Sequence, residues 1–329
     1  MHPLLAVHLE HAREVLDDEV LRYYGGGAGE QVTLTEAEGA WRELRLRPHV
    51  LRDVSGVSTA TTLLGTALSA PVLVGPTAAH GLAHADGEAE TARGTAAAGS
   101  LLVLSTRSTR RLEEVPAGPW WFQAYVMRDR ARTLDLVHRA AAAGATGVVL
   151  TGDVPWLGAR HGATRAQLTA PLQPGEQQDP SAGLEAIGEL AVAGLPVLVK
   201  GVLRGDDALA CLDAGAAGVV VSNHGGRQLD RALPTAHALP GVAAAVAGRG
   251  PVLVDGGIRS GLDVLCALAL GADAVLLGRP VLWALAAAGA GGVEQCLRAV
   301  ADDLAHVKGL AGASCLAELD ADLVSPSRA

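Results

Sequence analysis

Eight short runs of apolar residues punctuate the chain, at 71–74, 101–104, 121–126, 147–150, 196–199, 218–221, 251–254 and 274–277. They lack the polar alternation of a half-buried strand, as expected of parallel strands covered on both faces. Most are followed by a stretch with Ala and Leu at helical spacing, for example 87–98, 131–143, 205–214, 235–247 and 261–270. Eight β/α units make an α/β fold of the TIM (β/α)8 barrel type the economical reading. Gly99, Gly144, Gly194, Gly215, Gly250 and Gly271 each fall just after a helical run, where a left-handed C-terminal cap is expected.

Two segments stand outside this alternation. Residues 4–24 read as one helix stopped by Gly25-Gly26-Gly27, so residues 1–65 are expected to form a helical extension of a single barrel domain spanning 1–329. After the fourth strand, residues 158–183 are rich in Gly, Gln, Thr and Pro, and a connection of that length reads as a lid-like loop. Helical signals resume at Leu184, and 292–308 is again amphipathic.

With 49% hydrophobic residues in 329, the chain can bury one large core, while 3% aromatics implies close packing of small side chains. Trp120, Trp121 and Phe122 in succession therefore read first as a buried strand. A formal charge of −9 argues against a nucleic-acid or anionic-membrane surface, so any anion site must be local. The four cysteines form no CxxC pair and read as reduced thiols. Residues 3–7 are too short an apolar run for a signal-peptide core, and no run approaches a membrane span. A cytoplasmic protein is the expectation.

Candidate chemistry sits at strand ends. The sixth strand runs into His224 and, three residues later, Arg227, placing a base and an anion clamp on one loop. Gly256, Gly257 and Arg259 follow the seventh strand and Gly278 and Arg279 the eighth, where a TIM barrel holds phosphate on backbone N–H groups and cations. Lys200 closes the fifth strand, either to stabilise charge at the barrel mouth or to pair with Asp255. Asp153, ending the fourth, either orients the His224 imidazole or caps a turn. Arg227 supplies a bidentate fork for a carboxylate; Tyr23, by its residue type alone, is a packing residue.

Taken together, Tyr23–Ala28, Pro76-Thr77-Ala78, 104–106, 122–125, 151–155, 198–201, the 222–230 stretch Ser-Asn-His-Gly-Gly-Arg-Gln-Leu-Asp, 255–261 and Gly278-Arg279-Pro280 resemble, in order and spacing, the FMN-dependent α-hydroxy acid oxidases and dehydrogenases. The resemblance implies that Pro76, Thr77 and Ala78 meet the flavin through backbone, that Ser105, Gln123 and Thr151 hydrogen-bond its ring edge, and that Lys200 lies by N1. It implies that Asp255, Gly257, Arg259, Gly278 and Arg279 hold the ribityl chain and phosphate. On the substrate side it assigns Tyr23, Arg160 and Arg227 to the carboxylate, Tyr125 to the α-hydroxyl, and His224 to the base paired with Asp153. The activity implied is oxidation of an L-2-hydroxy acid to a 2-keto acid by a homotetramer, with O2 or a soluble acceptor taking the electrons. Residues 153–158 and 278–285 most resemble the hydroxymandelate-oxidising branch, which favours a bulky substrate.

Three positions depart from the family pattern. Arg107 stands where relatives carry a neutral substrate wall; it either receives a second polar or anionic group or turns away to solvent or a loop carboxylate. Ala159 replaces an arginine often found beside Arg160, and the connection from Asp153 to Lys200 is shorter than usual. Two rival readings follow: an FMN barrel of the type-2 isopentenyl-diphosphate isomerase kind, which shares the 255–259 phosphate motif, and a flavin-binding protein of this family without catalysis.

Overall fold

The computed structural model describes residues 1–115, 117–160 and 174–326. All eight apolar runs become parallel strands: β1 (Val72–Val74), β2 (Leu102–Ser105), β3 (Trp120–Ala124), β4 (Val148–Thr151), β5 (Val197–Val202), β6 (Gly218–Val221), β7 (Val252–Asp255) and β8 (Ala274–Leu277). They pair in sequence order, and β8 closes on β1 through Val275 with Val72, Leu276 with Leu73 and Leu277 with Val74. The result is a TIM barrel.

Alternation along each strand divides the core in two. Leu73, Val103, Trp121, Val149, Leu198, Val220, Leu253 and Leu276 fill the barrel interior. Their neighbours, among them Val72, Leu104, Phe122, Val148, Val219 and Val254, face the helices. Trp121 is wholly buried in the interior, and it fits because Gly147 has no side chain: a Cβ there would lie 2.9 Å from the indole. An antiparallel pair the sequence did not announce, Thr61–Leu63 with Thr66–Leu68, adds Leu63 and Leu68 to the interior cluster.

The N-terminal helix divides in two, Pro3–Val15 and Asp18–Gly25, with Leu16 extended between them. Asp17, Asp18 and Glu19 account for the break, because carboxylates favour a fresh helix N-terminus over continuation of the preceding helix. A third helix, Val32–Arg42, and a strand, Leu44–Leu46, which pairs with Val324–Pro326, were not foreseen in the 1–65 extension. The long helix Arg279–Leu310 begins well before the expected 292 and is interrupted by non-helical backbone at Ala288 and Gly289. Of the six expected glycine caps, five have positive φ; at Gly250 the expectation fails, because Ala247 and Gly248 already make the left-handed turn. Half of the expected loop, residues 161–173 of 158–183, lies outside the described residues.

Close helix packing depends on missing side chains. A Cβ on Gly94, in the helix Glu88–Ala97, would lie 2.3 Å from the Ala290 carbonyl oxygen of the long helix. Gly39, in the helix Val32–Arg42, has open space around it. The two substitutions to alanine should therefore have opposite signs. Gly39→Ala should stabilise by up to about 1 kcal/mol through helix propensity, whereas Gly94→Ala should cost roughly 1–3 kcal/mol through overpacking. Urea unfolding of both variants checks this, and equal signs would count against the packing account.

Candidate active site

The C-terminal ends of the strands surround a cavity of about 430 Å³. Most of the residues singled out in the sequence line it: Pro76, Thr77 and Ala78 after β1, Ser105 and Arg107 at β2, Tyr125 after β3, Arg160 after β4 and Lys200 on β5. His224 and Arg227 follow from β6, Asp255, Gly256, Gly257 and Arg259 from β7, and Gly278 and Arg279 from β8, while Tyr23 reaches in from the helix Asp18–Gly25. Gln123 and Thr151 stand behind this lining. Ser105 Oγ donates to Gln123 Oε1 at 3.1 Å, and Gln123 Nε2 donates to Thr151 Oγ1 at 2.9 Å. Asp153 also lies behind, against His224.

His224 occupies left-handed backbone (φ 57°), an uncommon conformation for this residue type. Its Nδ1 lies 3.0 Å from Asp153 Oδ1. Burial opposes ionisation of Asp153, but the attraction and hydrogen bond of His224, with Lys200 nearby, outweigh it and hold the carboxyl below its usual range. An ionised Asp153 keeps the imidazole proton on Nδ1 and leaves the Nε2 lone pair as the basic site. Gly201, at φ 109°, makes room for this carboxylate: a Cβ there would lie 2.5 Å from Asp153 Cγ.

The ion-pair reading of Lys200 is seen directly, and the residue also lines the cavity. Its ammonium faces the cavity, pairs with Asp255 Oδ2 at 3.0 Å and donates to Ser222 Oγ at 2.8 Å. Burial lowers its proton affinity, yet Asp255 and Asp153 more than compensate and raise it above the usual lysine range. Ser222 Oγ also accepts the His224 backbone N–H at 3.1 Å, so one hydroxyl links the cation to the histidine turn. Ser222 lay within the 222–230 stretch but had no role in the sequence reading, because its two partners meet only across β5 and β6.

The arginines crowd together. Arg227 Nη1 donates to the carbonyls of Tyr23 and Gly26, both at 2.7 Å, and its guanidinium lies 5.2 Å from the Tyr23 ring centre. Burial and the like charge of Arg160 lower it to about 10. Arg279 donates to Tyr24, Gly26 and Gly225 carbonyls at 2.9–3.1 Å, and burial with the neighbouring Arg227 and Arg259 lowers it to about 9. Arg259 lies 3.1 Å from Glu38, a partner on the unforeseen helix. Guanidiniums so depressed are ones that anions would stabilise. The arrangement gathers Arg160, Arg227, Arg259 and Arg279 in the cavity that His224 also lines, a cluster suited to anions.

These features fit the flavin phosphate expected from the sequence. Gly256 and Gly257 both have positive φ and line the cavity, while the missing side chain at Gly257 lets the helix Val32–Arg42 pack there, since a Cβ would lie 2.1 Å from the Ala37 carbonyl oxygen. Asp255 Oδ1 is buried and makes no hydrogen bond among the described residues, an acceptor suited to a sugar hydroxyl. A family model for FMN-dependent dehydrogenase matches residues 12–184 and 173–326. The chain belongs to the FMN-dependent dehydrogenase family. It is an FMN-dependent oxidoreductase.

Family members of known activity cover the chain almost end to end. An L-lactate oxidase of Nostoc sp. is 41% identical, covering 94% of each chain. A 4-hydroxymandelate oxidase of Amycolatopsis orientalis is also 41% identical, over 92% of each. The crystal structure of a mandelate oxidase with (S)-2-phenylpropionate superimposes with a TM-score of 0.91 at 42% identity, covering 98% of this chain and 97% of that one.

Tyr24 and Gln178 also line the cavity and were missed. Tyr24 donates its hydroxyl to the Ala79 carbonyl at 2.7 Å, pinning the turn after β1. Gln178 is bridged to Met127.

Two outcomes follow. Arg259→Ala combined with Arg279→Ala should weaken FMN binding by at least about 10-fold more than riboflavin binding, since a charge-assisted bond contributes about 1.5–3 kcal/mol. Fluorescence titration with the two flavins measures it, and equal losses would move the phosphate elsewhere. Asp153, with its depressed native pKa, contributes stability that is present above the unfolded-state value near 4 and lost as pH falls through the native value. Asp153→Asn should flatten that acid limb in unfolding curves taken from pH 7 downward.

Proposed function

We propose that the enzyme oxidises an (S)-2-hydroxy acid to the 2-keto acid, with O2 as electron acceptor and H2O2 as the second product. One observation carries this reading: a single cavity is lined by His224, whose Nδ1 lies 3.0 Å from Asp153, together with Arg160, Arg227, Arg259 and Arg279. Arg259 and Arg279 suit the cofactor phosphate and leave Arg160 and Arg227 for a substrate carboxylate. The relatives named for lactate and 4-hydroxymandelate oxidation support the same class. FMN, when bound, accepts the two electrons of the substrate and passes them on to O2.

The protein's own groups then divide the work. Arg227 and Arg160 bind the carboxylate, with the Tyr23 phenol alongside. Tyr125, whose phenol burial pushes up, stays protonated and hydrogen-bonds the α-hydroxyl. His224 Nε2 takes the proton that leaves the substrate, and Asp153 stabilises the imidazolium so formed. Lys200 would place its ammonium beside bound FMN and favour negative charge there. Pro76, Thr77, Ala78, Ser105, Gln123 and Thr151 frame the flavin ring, and Asp255, Gly256, Gly257, Arg259, Gly278 and Arg279 frame its ribityl phosphate. No described helix is long and apolar enough to cross a membrane. With its diffusible reactants, the enzyme is assigned to the cytoplasm and, by family resemblance, to a homotetramer.

Anaerobic mixing of the yellow protein with (S)-lactate, (S)-mandelate and longer 2-hydroxy acids tests the reading. Flavin bleaching by at least one of them is expected, with H2O2 on readmission of air. His224→Ala should keep FMN and lose about 10²–10⁴-fold in the reduction rate. A flavin that no hydroxy acid bleaches would favour the non-catalytic alternative.

A further inference from the structure

A buried imidazole that takes no part in the chemistry above stands behind the turn after β1. His80 is only 2% exposed and is not part of the cavity lining, yet its Nε2 lies 2.6 Å from the hydroxyl of Thr77, which does line the cavity. Its Nδ1 lies 2.8 Å from Thr91 Oγ1, on the helix Glu88–Ala97. Thr91 Oγ1 donates to the Gly87 carbonyl at 3.4 Å, which leaves its lone pairs for a proton on His80 Nδ1. Burial, though opposed by Glu88, lowers the His80 pKa below its ordinary value, so the imidazole is neutral and Nε2 accepts the Thr77 hydroxyl proton.

The backbone of His80 is held as firmly as its side chain. Its N–H donates to Glu88 Oε1 at 3.1 Å. The Glu88 carboxylate, almost fully buried, also accepts the Thr109 N–H at 2.8 Å, the Thr109 hydroxyl at 2.6 Å and the Arg110 N–H at 3.2 Å. Between Thr77 and His80, Ala79 takes left-handed backbone (φ 61°) and donates its N–H to the Arg107 carbonyl at 3.1 Å. The imidazole thus ties a fixed point, the start of the helix Glu88–Ala97, to one residue of the cavity wall. A Thr77 hydroxyl turned back into the protein fixes that side chain and with it the turn that carries it.

We propose that His80 is a positioning residue for the flavin: through the Thr77 hydroxyl it fixes the Pro76–Ala78 turn that frames the isoalloxazine ring, and so contributes to affinity for the ring independently of the phosphate. The inference rests on the ring placement proposed above and deepens it. A buried imidazole is costly unless both nitrogens are satisfied, and here each has one hydroxyl partner. Breaking the bond to Thr77 leaves a hydroxyl at the cavity wall free to rotate and the turn less well defined, which a ring bound against it would register as lost affinity.

Fluorescence titration of the flavin-stripped full chain with riboflavin and FMN compares the parent with His80→Asn, His80→Gln and Thr77→Val, each checked for cooperative unfolding. An asparagine amide reaches Thr91 but not Thr77, whereas a glutamine amide reaches Thr77. His80→Asn should therefore weaken both flavins by the same factor, about 3–10-fold for one hydrogen bond, and His80→Gln should stay within about 2-fold of the parent. A general loosening of the fold would instead lower both variants alike. In Thr77→Val, which has no hydroxyl to fix, adding His80→Asn should cost nothing further. Unchanged riboflavin affinity in His80→Asn, a loss confined to FMN, equal losses in the two His80 variants, or an additive loss in the double variant overturns the inference. Thr77→Phe, which puts a large side chain on the cavity wall, should abolish riboflavin binding; if riboflavin still binds, the ring placement fails and the inference with it. Blocked binding in Thr77→Phe beside an unaffected His80→Asn removes only the role of His80. Should His80→Asn not fold, Thr77→Val decides, with an equal loss for both flavins expected and unchanged affinities counting against the inference.

Discussion

Burial of positive charge at the mouth of the barrel is the constraint on which the rest of the site depends. A guanidinium taken out of water is costly unless oxygen atoms replace the lost hydration. Here the oxygens come largely from backbone: the carbonyls of Tyr23, Tyr24, Gly26 and Gly225 receive Arg227 and Arg279. Neutral carbonyls hold the side chains in place without cancelling their charge, which leaves the cavity attractive to anions. The acidic chain as a whole does not oppose this, because the cations lie together in a low-dielectric site while the formal charge of −9 belongs to the entire molecule.

That arrangement makes the N-terminal segment part of the active site. The turn after Tyr24 is gripped by arginines from β6 and β8, the Ala28 N–H donates to the Gly226 carbonyl at 2.8 Å, and Trp41 donates its indole N–H to the Gly256 carbonyl at 2.7 Å. Asp230 accepts the Thr33 backbone N–H at 3.0 Å. The turns that carry His224 and the glycines of β7 are thus supported from outside the barrel. Such support helps to explain how His224 is kept in left-handed backbone, a conformation that persists only where the surroundings enforce it.

A second thread is the coupling of the acid–base pair to the cation beside it. Ser222 bridges Lys200 and the His224 backbone, and Asp153 acts on both the imidazole and the ammonium. Removing one charge from such a chain deprives the others of a partner, so effects of substitutions at Asp153, Lys200 and Asp255 should not add.

The barrel and the placement of its chemistry were legible in the chain. Strands buried on both faces must be apolar throughout, and the residues that follow them must lie at the C-terminal rim, so His224, Arg227, Arg259 and Arg279 could be placed without coordinates. Arg107 and Tyr23 were different, since a strand end or a helix specifies a residue's position but not what its side chain meets. Tyr23 enters the cavity because the extension folds across the rim, and Arg107 meets the Glu176 carbonyl of a segment 69 residues away. Glu38 behind Arg259, Ser222 between two strands and Gln178 beside Met127 likewise depend on approaches between distant parts of the chain. Local pattern records periodicity and turn chemistry, whereas the partners of a buried charge are set by whichever oxygens the packed structure brings within hydrogen-bonding distance.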